Sequence, residues 1–184
     1  MTTNEFDPPI LSRPLKVDEI RDGTGGEIAA TDAELAAIAR MLDLVALKRL
    51  ALSYRLDRVG GRLRLAGQLQ ADVTQACVVS LEPVEAQLDV PVAVEFWPAA
   101  MVEELERSAK ESGGEGLLDW PEAVVDGRID LGPVIYETLA AALDPYPKRP
   151  GASFDWPQGS AAAPAEGKSG PFAALAALKR REPG

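Results

Sequence analysis

Residues 50–73 read LALSYRLDRVGGRLRLAGQLQADV, and this stretch decides the fold of the chain. Apolar residues alternate with polar ones on both sides of Gly60-Gly61. A period of two is typical of strands that bury one face, and a two-residue glycine turn joins such strands into a hairpin. We therefore expect an antiparallel hairpin from about Leu50 to Val73.

The register of this hairpin follows from the turn. If Val59 pairs with Arg62, apolar residues face apolar residues on one side of the hairpin, and an acid faces a base on the other. The expected pairs are Leu56 with Leu65, Leu52 with Leu69, and Asp57 with Arg64.

Further strands and three helices are expected around the hairpin. The strand pattern continues through residues 74–81, turns at Glu82-Pro83 and resumes between Leu88 and Phe96. Pro91 in this second run favours an edge position or a bulge, because proline has no N–H to donate to a neighbouring strand. Helices are predicted from a capping box at Thr31 and Glu34 to about Leu42, in the stretch after Pro98, and from an N-cap at Asp130 to about Leu143.

The predicted fold class is α+β: a curved antiparallel β-sheet, either open or partly closed into a barrel, with flanking helices. We expect residues 1–156 to form a single domain. Residues 157–170 are of low complexity and predict a flexible linker, and residues 171–184 predict a C-terminal amphipathic helix with a basic end. The glycine-rich residues 22–26 are expected to lie in a loop.

Composition excludes several classes of function. The chain has 184 residues, a formal net charge of −10, no histidine and one cysteine. A Ser/His/Asp or Cys/His catalytic triad, a His-ligated metal, an internal disulfide and a CxxC zinc pair are therefore ruled out. The sequence also lacks a membrane-length apolar run and a secretory signal pattern. We expect a cytoplasmic protein with no cofactor and no metal site.

The negative charge is unevenly distributed. Nine acids and three bases lie between Pro98 and Asp130, whereas the hairpin from Lys48 to Arg64 is rich in arginine and contains one acid. A basic patch can contact RNA phosphates, an acidic surface can hold a basic protein, and either can be an ordinary solvated surface. The candidate binding residues are Arg49, Arg55, Arg58, Arg62 and Arg64 for RNA, and Glu103, Glu104 and Glu106 for a basic protein.

Two expectations concern individual side chains. Arg49, Arg55 and Arg64 should share the polar face of the sheet, while Arg58 and Arg62 flank the turn. Cys77 should lie on a strand as a small buried apolar residue rather than as a reactive thiol.

Several motifs resemble a known family when they are taken in order. Residues 77–84 read CVVSLEPV, residues 142–147 read ALDPYP, and residues 171–179 read PFAALAALK. This order is similar to the YceD family of large ribosomal RNA subunit accumulation proteins in their alphaproteobacterial form, over about residues 8–181. The motif residues are Cys77, Leu81, Glu82, Pro83, Asp144, Pro145, Tyr146 and Pro147.

The resemblance implies a non-enzymatic factor that supports accumulation or processing of the large-subunit (23S) ribosomal RNA. Many members of the family that this chain resembles carry Cys-x-x-Cys before Leu-Glu-Pro. Here Ser80 stands at the second cysteine position, so no metal site is expected at Cys77.

The expected partner is the large-subunit RNA or a basic ribosomal protein. The net charge of −10 favours the protein, because an acidic chain repels RNA at long range. Two alternatives stay open: a Mg²⁺-dependent carboxylate hydrolase or nuclease, and an interaction protein unrelated to ribosomes.

Overall fold

The computed structural model describes residues 10–111 and 120–153. The predicted linker at 157–170 and the predicted helix at 171–184 lie outside the described residues. Both therefore stay predictions, as does the domain boundary at residue 156.

The described residues form seven strands, three α-helices and a short 3-10 turn at Val17–Glu19. The strands are β1 (Pro14–Lys16), β2 (Thr24–Ala29), β3 (Ala46–Val59), β4 (Arg62–Ala76), β5 (Pro83–Pro98), β6 (Glu122–Val124) and β7 (Arg128–Asp130). The helices are α1 (Asp32–Met41), α2 (Ala99–Glu111) and α3 (Leu131–Ala142).

The predicted hairpin is confirmed as β3 and β4, with the expected register. Val59 pairs with Arg62, Leu56 with Leu65, Leu52 with Leu69 and Asp57 with Arg64. Both turn glycines adopt positive φ, which a two-residue hairpin turn requires. The leucines of these pairs have no solvent exposure, so one face of the hairpin carries the centre of the core.

The main sheet is open. Its strand order is β2-β3-β4-β5-β6, with β6 parallel to β5 and the other neighbours antiparallel. The α+β class is confirmed, and the barrel alternative is not realised in the described residues because β2 and β6 form separate edges. Pro91 lies on β5 where no described strand pairs on the outer side, which confirms its predicted edge position.

The helices begin where the sequence predicts. Thr31 and Glu34 form a reciprocal capping box at the start of α1. The Asp130 carboxylate accepts a hydrogen bond from the Gly132 N–H at the start of α3. Apolar side chains of both helices, including Ile38 and Leu139, belong to the same buried cluster as the leucines of the hairpin.

The N-terminal part of the described chain is held against α1 and α3. Strand β1 pairs with β7 to form a separate two-stranded sheet. The Arg13 guanidinium donates two hydrogen bonds of 2.8 Å to the Glu34 carboxylate. Asp130 also accepts hydrogen bonds from the Ser12 hydroxyl and the Arg13 N–H, each at 2.6 Å. One carboxylate therefore caps α3 and fixes the segment that leads into β1.

Two stretches differ from the expected secondary structure. Residues 24–26 lie in β2 rather than in a loop. A Cβ atom on Gly25 would lie 2.6 Å from the Tyr54 carbonyl oxygen, so this glycine permits close strand contact rather than a turn. Residues 77–81 do not continue β4, because the Cys77 carbonyl accepts a hydrogen bond from the Leu81 N–H and closes a turn.

Candidate functional site

The outer face of the main sheet is polar and carries most of the predicted arginines. The alternation along β3 and β4 places Arg49, Arg55 and Arg64 on this face, as expected, and Arg62 joins them. Acids or amides of the same surface engage several of its cations. Arg55 pairs with Asp57 at 3.1 Å, Lys48 pairs with Glu85 at 2.6 Å, and Arg49 donates to the Gln70 side-chain oxygen at 2.8 Å.

These ion pairs shift the titration of their partners. The Arg55 guanidinium lowers the pKa of Asp57, and the Lys48 ammonium lowers the pKa of Glu85. All four side chains are more than one-third exposed, so the pairs are screened by water and add little stability. Their main effect is to reduce the positive charge of the outer face.

Arg58 does not lie with the other arginines. It belongs to the inner side of β3, opposite Leu63, and its guanidinium donates hydrogen bonds to the carbonyl oxygens of Ile20 and Val17. These bonds tie the end of β3 to the 3-10 turn. Arg58 is therefore a structural residue in this fold, and the predicted patch loses one of its five arginines.

Arg62 and Arg64 lie at the end of the outer face where β4 begins. The Arg62 guanidinium stacks 3.6 Å from the centre of the Trp97 ring, whose Nε1 donates to the Glu95 carboxylate at 2.9 Å. The Arg64 side chain is exposed and forms no hydrogen bond or ion pair with any described residue, although its backbone pairs with β3. It is therefore the predicted arginine most available to a ligand.

The predicted acidic residues lie on α2, which has no fully buried residue. Val102, Leu105 and Ala109 are half-buried on one side, and α2 packs by contacts with β5 and β6. Glu104 pairs with Arg107, whereas Glu103 and Glu106 are exposed and pair with no described residue. The helix therefore presents uncompensated negative charge to solvent.

A second site joins the two sequence motifs that are distant in the chain. The end of β4 with the turn after it and the segment after α3 meet through one backbone hydrogen bond and one bond from a side-chain amide. The Val78 N–H donates to the Pro147 carbonyl at 2.8 Å, and the Gln75 amide donates to the Asp144 carbonyl at 2.9 Å. An ion pair between Arg149 and Glu82 lies across the same contact. We call residues 77–82 and 144–149 the motif junction.

Cys77 lies inside the motif junction and has no solvent exposure, as expected, although it follows β4 rather than lying on it. Its Sγ accepts hydrogen bonds from the backbone N–H groups of Arg149 and Ser80, each at 3.4 Å. These donors, with that of Arg149 first, lower the pKa of the Cys77 thiol to about 6.

Three apolar side chains of the motif junction point to solvent. Leu81, Tyr146 and Val78 are 79%, 75% and 53% exposed. Leu81 also has a φ of 60°, which is uncommon for a residue with a side chain. Val78 has no sequence signal that marks it as a candidate, because only the fold brings it beside residues 144–149.

No group of histidine, cysteine, aspartate or glutamate suited to a metal ion occurs within residues 10–111 and 120–153. Burial and the neighbouring Glu137 raise the pKa of Glu122. No helix in the described part of the chain is long and apolar enough to cross a membrane. The features that stand out are therefore surfaces: the polar sheet face, α2 and the motif junction.

The comparison with family models assigns the chain. Residues 65–179 match the model described as "Large ribosomal RNA subunit accumulation protein YceD". The chain belongs to the YceD family. The match runs from β4 through α3 and includes both halves of the motif junction, and the family description supports a role in accumulation of the large-subunit ribosomal RNA. Neither curated proteins nor solved structures gave a significant match to the chain.

Proposed function

We propose that this YceD protein is a non-catalytic, cytoplasmic ribosome biogenesis factor that binds a basic ribosomal protein. Such binding would support accumulation of the 23S ribosomal RNA by keeping a component of the large subunit available for assembly. The family assignment supports the pathway, and the surface charges support the class of partner.

The observation that carries the choice of a protein partner is the contrast between the two charged surfaces. On the outer sheet face, acids and amides already engage Lys48, Arg49 and Arg55. On α2, Glu103 and Glu106 extend into solvent without a described counter-ion. A basic partner therefore gains ion pairs at α2 with little competition from the chain itself.

The first test is whether the protein acts on the large subunit. We expect deletion of its gene to lower the ratio of large-subunit to small-subunit RNA, and we expect the protein to co-sediment with precursors of the large subunit. An unchanged ratio together with no co-sedimentation would remove the ribosomal role.

The second test separates the two charged surfaces. In a pull-down from lysate, the triple variant Glu103→Gln, Glu104→Gln, Glu106→Gln should lose basic ribosomal proteins. The variant Arg55→Gln, Arg64→Gln is the matched control, since its sites are also exposed, and it should retain them. The opposite result would contradict a protein partner at α2.

RNA binding is the second candidate, and Arg64 with the Arg62–Trp97 stack is the observation that favours it. Aromatic and guanidinium planes stack on unpaired bases, and free cations contact phosphates. This candidate predicts that the purified protein binds large-subunit RNA with an affinity that falls steeply with salt. Arg62→Glu with Arg64→Glu should then abolish binding.

A further inference from the structure

Strand β5 has a long edge with which no described strand pairs, called the free edge below. It spans Pro83–Pro98 and pairs with β4 along most of its length, yet β6 covers only Phe96–Pro98 on the other side. Among the described residues, nothing pairs with the outer side of β5 from Pro83 to Ala93. This edge spans about 35 Å, since an antiparallel strand rises about 3.4 Å per residue.

The register identifies which backbone groups point outward. Val59 and Arg62 flank the two-residue turn and therefore form a hydrogen-bonded pair. Backbone groups point to alternate sides along a strand, so the even-numbered residues of β4 bond to β3 and the odd-numbered residues bond to β5. Leu63 pairs with Phe96 and Gln68 with Pro91, so even-numbered residues of β5 bond to β4. The odd-numbered residues of β5 therefore direct their N–H and C=O groups away from the sheet.

Pro91 agrees with this assignment, because it is odd-numbered and has no N–H to lose from the ladder with β4. The outward donors on the free edge are the N–H groups of Glu85, Gln87, Asp89 and Ala93. Pro91 therefore separates three outward N–H groups on one side from the single N–H of Ala93 on the other.

The side chains along β5 specify what could pair there. Odd-numbered side chains lie on the outer face and include Glu85, Asp89 and Glu95. Glu85 already pairs with Lys48, whereas Asp89 and Glu95 form no ion pair with a described residue, and β5 contains no lysine or arginine. Even-numbered side chains form a half-buried apolar row on the inner face, at Val84, Leu88 and Val90. An added strand would extend both surfaces, so it should carry basic residues at alternate positions with apolar residues between them.

We infer that the free edge of β5 binds an extended basic segment of a protein partner as an additional antiparallel strand. This inference rests on the proposed function and assigns the partner a second contact besides α2. A second copy of this chain is disfavoured, because two such edges would bring only acids together and each would lack a donor at Pro91.

A synthetic peptide tests this inference directly. We would label a ten-residue peptide of alternating lysine and valine with fluorescein and measure its anisotropy with the full chain. For an antiparallel strand, lysines lie on the outer face and their N–H groups point at β5. N-methylation of the lysine amides should abolish binding, and N-methylation of the valine amides should leave it unchanged.

The two methylated peptides have equal charge and composition, so the comparison isolates edge pairing from electrostatic attraction. The reverse preference would overturn the antiparallel direction, because a parallel strand at the same edge bonds through the amides of the valines instead. Equal binding of both peptides, or no binding of the parent peptide, would overturn the inference.

Protein variants provide an independent test. Ala93→Pro removes one outward N–H without removing a bond to β4, and Ala93→Thr is the matched control that keeps it. We expect Ala93→Pro to weaken binding about 2- to 10-fold, as one hydrogen bond allows, and Ala93→Thr to leave it unchanged. Hydrogen exchange of the Gln87 and Asp89 amides should slow on binding, and unchanged exchange with bound peptide would refute edge pairing.

Failure of this inference and failure of the proposed function have different signatures. If both methylated peptides bind equally or the parent peptide does not bind, while the wild-type chain captures ribosomal proteins from lysate and the α2 triple variant does not, the edge proposal fails and the proposed function stands. If the wild-type chain captures none, the proposed function fails, whatever the peptide does.

Discussion

Replacement of Glu34 by glutamine should destabilise the protein in a pH-dependent way. The Glu34 carboxylate receives two hydrogen bonds of 2.8 Å from Arg13, and its Oε2 also accepts from the Thr31 N–H at 2.8 Å. Arg13 is the main cause that lowers the pKa of Glu34 from 4.5 to about 2, and the Thr31 donors add to it. The ionised form is therefore the one that the fold stabilises.

The magnitude follows from this shift and from exposure. A full shift of this size would correspond to about 3 kcal/mol in the free energy of unfolding. The Glu34 and Arg13 side chains are 19% and 28% exposed, and screening by water reduces the effect to about 1–2 kcal/mol. The folded-state pKa lies below the unfolded one, so this stability is present above about pH 5 and is lost as the pH falls towards 2.

Urea denaturation followed by circular dichroism measures this effect. Glu34→Gln should lower the free energy of unfolding by about 1–2 kcal/mol at pH 7, and the deficit should fall by more than half between pH 5 and pH 3. Glu19→Gln is the matched control, because Glu19 pairs with Lys16 at an exposed site and should cost less than about 0.5 kcal/mol. A deficit that is constant with pH, or equal in both variants, would refute the reasoning.

Three further predictions concern packing, the thiol and the arginines. Gly132→Ala should lower the free energy of unfolding by about 3 kcal/mol or more in urea denaturation, despite the helix propensity of alanine. The added Cβ would lie 2.0 Å from the Leu11 carbonyl oxygen, and unchanged stability would contradict this contact. The Cys77 thiol should titrate with a midpoint near pH 6 by absorbance at 240 nm. A midpoint near the ordinary value of about 8.5 would show that the N–H···S bonds do not lower its pKa. Arg58→Ala should lower the free energy of unfolding by about 1–3 kcal/mol, because two carbonyl groups lose a charged donor. Arg64→Ala should change it by less than about 0.5 kcal/mol. Equal costs would show that Arg58 is not a structural residue.

Local patterns were sufficient for much of the fold. The alternation around Gly60-Gly61 predicted the hairpin and its register, because a period of two and a two-residue turn leave one pairing that buries the leucines. The capping residues Thr31 and Asp130 predicted the starts of two helices, since each cap uses partners within three residues. Such features need no information about distant parts of the chain.

Other features were misread or missed for the same reason. The sequence of residues 24–26 is typical of a loop, yet Gly25 lies in a strand and allows the backbone of Tyr54 in the neighbouring strand to approach closely. In the sequence, Arg58 looks like its neighbouring arginines, yet its guanidinium donates hydrogen bonds to the distant carbonyl groups of Ile20 and Val17. In both cases the deciding partner lies about 30 or more residues away, and no local pattern encodes its position.

The sequence by itself therefore determined the hairpin, the helix starts, the exclusion of histidine chemistry and the family motifs. Only the tertiary structure decided that residues 77–82 and 144–149 meet at the motif junction and that Cys77 lies between them. It also decided that no described strand pairs with the outer side of β5 from Pro83 to Ala93. The physical reason is that alternation and capping act over a few residues. Which backbone groups find distant partners, and which stay unpaired, depends on how α3 and the sheet pack together.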